Sequence, residues 1–330
     1  MICKYFLITI LGCQQRNQQL PNAILDKYDI IGLVNRMKKS ILILILIFSV
    51  LLATGCSVSE EKTQIAATTL PVYEFTFRLC RNTDLSVTQI VTENVSCLHD
   101  YTLKVSQMKI IESADMVIIN GAGLESFLDD ALVGAKVVVD SSKGISLHTA
   151  ASHSHDHEHD NNHDHDNDSH IWLSPENAKV MATNICTELT RHYPQYEADF
   201  NRNLQDLLRD LNVLQSYGDE KLSTLSCREL ITFHDGFHYL ADSFDLHIVR
   251  SVEEESGSEA SAGELIDLIK EVEHHKLPAI FTEVNGSVSA ANIISAETDT
   301  PIYTLDMAMA GSSYFDAMYH NINTLWEALQ

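Results

Sequence analysis

Short apolar segments alternate with amphipathic segments in two stretches of the chain, and this alternation constrains the fold more than any other feature. Strands that alternate with helices form βαβ units around parallel sheets. The sequence therefore predicts an α/β fold with two lobes, each containing a mainly parallel sheet flanked by helices. Eight segments have the composition of strands: residues 63–69, 84–91, 115–120, 136–142, 229–235, 246–252, 278–284 and 301–307.

A single long amphipathic segment separates the two groups of strands. A helix of about 25 residues is long for a globular domain, in which the mean is about 11–12 residues. We therefore expect one long, rigid connecting helix at 195–222, between a first lobe at 63–194 and a second lobe at 223–330. A ligand is expected in the cleft between these lobes. The apolar residues of the segment recur at helical spacing: Phe200, Leu204, Leu207, Leu208, Leu211 and Leu214.

The beginning of the chain has the pattern of an export signal preceded by an extension. A short basic stretch precedes an uncharged apolar run at 41–53, which is shorter than the roughly 20 residues of a membrane-spanning helix. Small residues then precede Cys56, as in the bacterial lipobox, whose cysteine is acylated. We expect a signal peptide at 37–55, lipidation of Cys56 and a tether at 56–62, with the protein anchored on the extracytoplasmic side of the membrane. Residues 1–36 are expected to be an upstream extension outside the fold.

The charge of the chain limits its classes of partner. It has 22 Lys and Arg residues against 46 Asp and Glu residues, a formal net charge of −24 at neutral pH. Nucleic acid is excluded as a partner, because phosphate binding requires positive charge. The excess of carboxylates instead suits a protein that handles cations outside the cell.

One internal tract is dominated by potential metal ligands. Residues 153–168 contain six histidines, six carboxylates and no apolar side chain, so the tract cannot form a packed core. Imidazole is the commonest protein ligand for zinc and related metals, and a solvated acidic loop is the alternative interpretation. We expect a His-rich loop at 148–169 that binds metal with low affinity as an accessory to the main site. Its histidines are His153, His155, His157, His159, His163 and His165.

Four other side chains with metal-binding chemistry lie near the ends of predicted strands or in adjoining loops. In open α/β sheets, ligands bind beyond the carboxyl ends of the strands. Three neutral imidazoles and one carboxylate suit a tetrahedral zinc site, although spacing alone does not demonstrate that these side chains converge. Each lobe contributes two of the four: His99, His170, His234 and Asp306.

Sequence motifs extend through nearly the whole chain after Cys56. They are LHDYTLKVSQMKIIESADMVIINGAGLE (98–125), HIWLSPENAKVMATNI (170–185), ITFHDGFHYLA (231–241), IFTEVNGSVSAANIISAET (280–298) and YTLDMA (303–308). In combination they resemble the zinc branch of the cluster A-I solute-binding lipoproteins, the metal-binding components of bacterial ABC importers. The resemblance implies two lobes joined by a rigid helix and a metal site in the cleft.

The resemblance also implies the roles of individual residues. It assigns the metal ligands to His99, His170, His234 and Asp306, and His instead of Glu at position 234 accompanies zinc in this family. Glu283, at the end of a predicted strand, is a competing fourth ligand or a group that orients an imidazole. Water is a further alternative for the fourth position.

Four cysteines follow Cys56, an even number that suggests two disulfides in an exported protein. Sequence alone allows three ways to pair them. Where many members of this family have proline before the HDY turn, this chain has Cys97 and Leu98. This difference favours a Cys80–Cys97 bond that holds the loop carrying His99. A Cys186–Cys227 bond would hold the helix after HIWL beside the second lobe.

The function implied by the resemblance is binding and delivery of Zn²⁺. A monomeric, lipid-anchored protein would capture zinc outside the cytoplasmic membrane and pass it to an ABC permease powered by an ATPase, without enzymatic turnover. A manganese or iron importer protein and a zinc-buffering adhesin are the alternatives. A zinc-dependent hydrolase is less favoured, because the sequence has no HExxH helix or comparable motif.

Overall fold

The computed structural model describes residues 38–39, 64–93, 95, 98, 101–148, 167–252, 260–309, 311 and 313–330. The chain separates into two compact units, Met1–Glu60 and Glu61–Gln330. All elements discussed below belong to the second unit, and of the first unit only residues 38–39 are described. Among the described residues, no helix combines the length and apolarity required to cross a membrane.

The first lobe is built on a four-stranded parallel sheet with strand order β2-β1-β3-β4. The central strands β1 and β3 are covered on both faces, and their residues are the most apolar of the sheet, as burial on both faces requires. Ile65 and Ile118 on these strands are completely buried. The elements are β1 (Ile65–Ala67), α1 (Leu70–Leu79), β2 (Val87–Gln89), α2 (Val105–Ser113), β3 (Met116–Ile119), α3 (Asp129–Leu132) and β4 (Val138–Asp140).

The second lobe repeats this architecture with strand order β6-β5-β7-β8, again entirely parallel. A separate apolar cluster that includes Ile231, Leu268 and Ile280 packs between this sheet and its helices. The elements are β5 (Glu229–Thr232), α6 (His238–Ser243), β6 (His247–Ser251), α7 (Ala262–His275), β7 (Ile280–Glu283), α8 (Ser289–Thr298), β8 (Ile302–Leu305) and α9 (Tyr314–Leu329).

Two consecutive helices connect the sheets. Helix α4 (Pro175–His192) begins with Pro175 in its first turn, and the Ser174 hydroxyl accepts a hydrogen bond from the Asn177 N–H. Helix α5 (Glu197–Leu222) has 26 residues. It packs against α1 and α4 in the first lobe and against α9 in the second. The expected fold class, two lobes with parallel sheets and a long connecting helix, is confirmed.

The cysteines depart from the predicted pairing. Cys186 and Cys227 are free thiols, so the Cys186–Cys227 bond is wrong. Cys186 is buried on α4, near Cys80. Burial raises the pKa of Cys80 to about 12, and the nearby Cys186 contributes a smaller part of this rise. Cys227 instead precedes β5, where its thiol donates to the Glu229 carbonyl at 3.4 Å. Cys80 is also a free thiol, which does not support a Cys80–Cys97 bond, and Cys97 lies outside the described residues.

Candidate metal centre

Two of the four predicted ligands meet between the lobes. His234 follows β5 at the carboxyl edge of the second sheet, and His170 precedes a short 3₁₀ turn, Ile171–Leu173, that leads into α4. Both imidazoles are almost completely buried, with 2% and 3% of their residue surfaces exposed. A polar ring in such an environment needs a partner on each nitrogen, because an unsatisfied buried polar atom is costly.

The Nε2 atoms of His170 and His234 lie 3.3 Å apart, and the two rings are perpendicular, with centroids separated by 5.0 Å. Zinc binds imidazole nitrogen at about 2.0–2.1 Å with tetrahedral angles, so two such nitrogens on one ion lie about 3.3–3.4 Å apart. The observed separation is therefore the one that a shared zinc ion requires.

A carboxylate lies on the opposite side of each imidazole. The Asp168 Oδ1 atom is 2.8 Å from His170 Nδ1, and Glu283 Oε2 is 3.6 Å from His234 Nδ1. Burial opposes ionisation of Asp168, but hydrogen bonds from the His170 ring and its backbone N–H outweigh this effect and hold the pKa of Asp168 below its ordinary value. An ionised Asp168 keeps the proton on Nδ1 of His170 and directs the Nε2 lone pair toward His234.

The turn that carries His170 is fixed by contacts to the second lobe. The buried Trp172 indole donates to the Met307 carbonyl at 2.7 Å, and the Tyr314 hydroxyl donates to the Trp172 carbonyl at 2.9 Å. These hydrogen bonds cross between the lobes at the site. They restrict the relative positions of His170 and His234, which belong to different lobes.

The two ends of the His-rich loop meet beside the same site. The Asp168 N–H donates to the His148 carbonyl at 2.9 Å. The Tyr239 hydroxyl, on α6, accepts from the His148 N–H at 3.0 Å and donates to the Asp168 carbonyl at 3.1 Å. The residues between these ends are almost all outside the described part of the chain. The loop therefore leaves and rejoins the fold next to the carboxylate that contacts His170.

Asp306 lies at the predicted place, directly after β8, but its carboxylate has another partner. Its Oδ1 atom accepts a hydrogen bond from the Ala308 N–H at 2.7 Å, which stabilises a tight turn. Together with Val95, Val284 and Met309, it lines a cavity of about 160 Å³. Among the described contacts, none joins Asp306 to His170 or His234, so its role as a ligand stays a prediction.

The remaining predicted site residues lie outside the described residues: His99, His153, His155, His157, His159, His163, His165 and Cys56. Within the described ranges, no three His, Cys, Asp or Glu side chains are grouped so as to hold a metal ion. The structure thus brings together one pair of imidazoles, each with a carboxylate on its Nδ1 side.

Sequence reasoning missed Asp168 and Tyr239. In the sequence Asp168 is one more carboxylate of the acidic tract, although its position two residues before His170 is a usable signal. Tyr239 had no comparable signal, because its contacts to His148 and Asp168 depend on how the lobes meet. The sequence also singled out Glu283, and its carboxylate lies on the Nδ1 side of His234. Its role as a ligand or as an orienting group stays a prediction.

Comparison with known proteins is consistent with this geometry. Residues 65–328 match the family model described as zinc-uptake complex component A, periplasmic. A putative metal-binding protein from Treponema pallidum is 27% identical over 296 residues, which cover 84% of this chain and 93% of that protein. The zinc-binding protein AdcA from Streptococcus pyogenes is 27% identical over 317 residues, 88% of this chain. The chain spans only 61% of the length of that AdcA.

A solved structure described as Zn(II)-bound AdcA from Streptococcus pneumoniae superposes with a TM-score of 0.67. It is 26% identical and the match covers 81% of this chain and 58% of that one. The two-lobed architecture is therefore shared with a structure that holds zinc.

Proposed function

The chain belongs to the family of periplasmic zinc-uptake component A, and from this membership we propose that it captures Zn²⁺ between its lobes and delivers it to an ABC importer. The observation that carries the proposal is the 3.3 Å separation of the Nε2 atoms of His170 and His234. Zinc is the cargo in this account, so the site needs high affinity and reversible release.

The ligand atoms favour zinc over manganese. Imidazole nitrogen suits zinc, whereas manganese prefers carboxylate, carbonyl and water oxygens. His170 and His234 supply two nitrogens, and we propose His99 and either Asp306 or water as the remaining ligands. Glu283, whose Oε2 atom lies 3.6 Å from His234 Nδ1, would orient His234 from that side once the two atoms close to hydrogen-bonding distance.

Division of the ligands between two lobes provides a route for release. His170 belongs to the first lobe and His234 to the second. Separation of the lobes that also broke the hydrogen bonds from Trp172 to Met307 and from Tyr314 to Trp172 would pull the two Nε2 atoms apart and weaken both bonds to zinc. A permease that binds both lobes would be able to force this separation. The importer permease and its ATPase are the proposed partners.

The position of the protein in the cell is part of the same proposal. A signal peptide at 37–55 and lipidation of Cys56 would place the site outside the cytoplasmic membrane, where the zinc to be captured is present. We propose that the protein is a monomer and that it catalyses no reaction. The His-rich loop at 148–169 would raise the zinc concentration beside the site, because its ends meet at His148 and Asp168.

Metal analysis and competition titration test the function. The purified protein, treated with a chelator, is titrated with Zn²⁺ and with Mn²⁺ against a fluorescent chelator, and a strain that lacks the gene is assayed for growth in scarce zinc. We expect tight zinc binding, much weaker manganese binding, and a growth defect that added zinc reverses. Preference for manganese, or growth defects that zinc does not reverse, would contradict the proposal.

A further inference from the structure

Glu125 is a buried carboxylate that is not among the proposed zinc ligands. It follows β3 in the first lobe and is only 4% exposed. Its Oε1 atom accepts hydrogen bonds from the Thr68 hydroxyl at 2.7 Å and from the Asn120 N–H at 2.6 Å. Its Oε2 atom accepts from the Gly121 N–H at 3.0 Å. The carboxylate thus joins the ends of β1 and β3 at the carboxyl edge of the first sheet.

The turn held by Glu125 has an unusual backbone. Gly121, Ala122 and Gly123 have φ angles of 83°, 55° and 85°, a left-handed region that costs free energy for alanine. Burial raises the pKa of Glu125 to about 7, against the opposing effect of its three hydrogen-bond donors. A residue that is expensive to bury as an anion and holds a strained turn is a candidate for a functional role.

The turn leads directly to the peptide group that carries His170. The Asn120 side-chain amide donates to the Ser169 carbonyl at 3.1 Å. The N–H of the same peptide unit, which belongs to His170, donates to Asp168 Oδ1 at 2.9 Å. One peptide plane is therefore held from both sides, by Asn120 on its oxygen and by Asp168 on its nitrogen.

We propose that Glu125 and Asn120 are positioning residues of the zinc site, which set the orientation of the Ser169–His170 peptide and hence the direction of the His170 imidazole. Glu125 fixes the backbone of Asn120, and the Asn120 amide fixes the Ser169 carbonyl. Neither residue touches the metal. The inference rests on the proposed function, because it describes how the first lobe holds one of the proposed ligands in place.

The direct test uses Glu125→Gln and Asn120→Ala in the full chain. Glutamine keeps the shape of Glu125 but places an amide N–H opposite the Gly121 N–H, so one hydrogen bond is lost. Alanine at 120 keeps the backbone N–H that Glu125 accepts but removes the contact to Ser169. Each variant should raise the zinc Kd about tenfold, as loss of outer contacts to metal ligands does.

Two further measurements distinguish positioning from a purely structural role. The double variant should bind zinc no more weakly than either single variant, because both residues act through the same peptide. Cobalt(II) should bind in place of zinc, and its visible absorption, which depends on coordination geometry, should differ from that of the unmodified protein in both single variants.

Asn203→Ala is the matched control for Asn120→Ala. Asn203 is also a buried asparagine, and its amide donates to the Leu79 and Arg81 carbonyls at 2.8 and 2.7 Å. These acceptors lie at the far end of the 10-residue helix α1, about 15 Å from its start near the sheet edge. The control should lower thermal stability and leave the zinc Kd and the cobalt spectrum unchanged.

The outcomes separate this inference from the proposed function. If the unmodified protein binds zinc tightly and both site variants bind it equally well with an unchanged cobalt spectrum, the positioning role is wrong and zinc binding stands. If the unmodified protein does not bind zinc tightly, the proposed function itself is contradicted. Weaker binding in the Asn203→Ala control, equal to that of Asn120→Ala, would also overturn the positioning role.

Discussion

His170 and His234 are 64 positions apart in the sequence, and their Nε2 atoms lie 3.3 Å apart. Because Asp168 holds the proton of His170 on Nδ1, the Nε2 lone pair of His170 points toward the ring of His234. A cation between the two nitrogens would turn this close approach into a pair of bonds, and the distance equals the span of a tetrahedral zinc site, about 3.3–3.4 Å.

Asp168→Asn should weaken zinc binding although Asp168 is not a proposed ligand. Asparagine keeps an oxygen near His170 Nδ1 but removes the negative charge that fixes the tautomer and strengthens the imidazole as a ligand. The expected rise in zinc Kd is about 10–100-fold, measured by competition titration. Asp242→Asn is the control, since Asp242 contacts His148 at 3.2 Å on the exposed surface. Equal affinities in the two variants would contradict the role of Asp168.

Shortening the His-rich loop should leave the tight site intact only if Asp168 is kept. The loop ends already meet at the His148 carbonyl and the Asp168 N–H, so replacement of 150–165 by a short Gly-Ser linker need not move them. That variant should bind one zinc with a Kd near that of the unmodified protein and lose the weakly bound ions.

Replacement of 150–168 is the matched comparison, because it also removes Asp168. We expect it to weaken the tight site as Asp168→Asn does. Loss of tight binding in the shorter replacement would show that the loop itself holds the high-affinity ion.

Acid should lower the stability of the first lobe, because it protonates Glu93. Hydrogen bonds from Lys104, at 2.5 Å, and from Tyr101, at 2.6 Å, lower the pKa of Glu93 from its ordinary 4.5 to about 2. A carboxyl with a depressed pKa in the folded state contributes stability above pH 4.5 and loses it as the pH falls toward 2.

Glu93→Gln should therefore lower the free energy of unfolding at pH 7 by about 1 kcal/mol, the usual scale for partly exposed charged pairs. The difference from the unmodified protein should shrink at pH 3. Urea unfolding of the metal-free proteins at pH 7 and at pH 3 measures this difference in the free energy of unfolding. An equal difference at pH 3 and pH 7 would contradict the electrostatic origin.

The cysteines should differ in reactivity. Burial keeps the pKa of Cys80 at about 12, and Cys186 is 3% exposed, so neither should react with iodoacetamide at pH 8 in the folded protein. Cys227 is half-buried and should react more quickly. Peptide mapping of the iodoacetamide-treated protein, before and after unfolding, reports how far each cysteine has been modified. A Cys186–Cys227 cross-linked peptide under non-reducing conditions would contradict the structure.

The alternation of apolar and amphipathic segments was sufficient to predict both sheets and the connecting helix. These elements are predictable because their signals lie within single segments of the sequence. The composition of Ile280–Glu283 indicates a strand, and the spacing of Leu204, Leu207 and Leu211 indicates a helix. The two-lobed fold follows from these patterns without knowledge of any distant contact.

The candidate site was predictable only in part. The sequence singled out His234 at the end of a predicted strand and His170 directly after the His-rich tract, but it could not show that their rings converge. Asp306 illustrates the limit, because its carboxylate accepts from Ala308 in a turn that sequence spacing does not reveal. Asp168 contacts His170 only two residues away, whereas the Asn120–Ser169 and Thr68–Glu125 hydrogen bonds join segments 49 and 57 residues apart. Sequence spacing does not reveal such distant contacts, and the predicted Cys186–Cys227 pairing also depended on which distant segments meet.

Counting tightly bound zinc shows whether His170 and His234 share one zinc ion. The unmodified protein, the His170→Ala and His234→Ala variants and a His148→Ala control are stripped of metal and titrated with zinc against a competing chelator. We predict one tight site per chain in the unmodified protein and in the control, and a rise in Kd of about 100-fold or more in each site variant. Tight binding of one zinc by the double variant His170→Ala/His234→Ala would show that these two imidazoles do not hold the tightly bound ion.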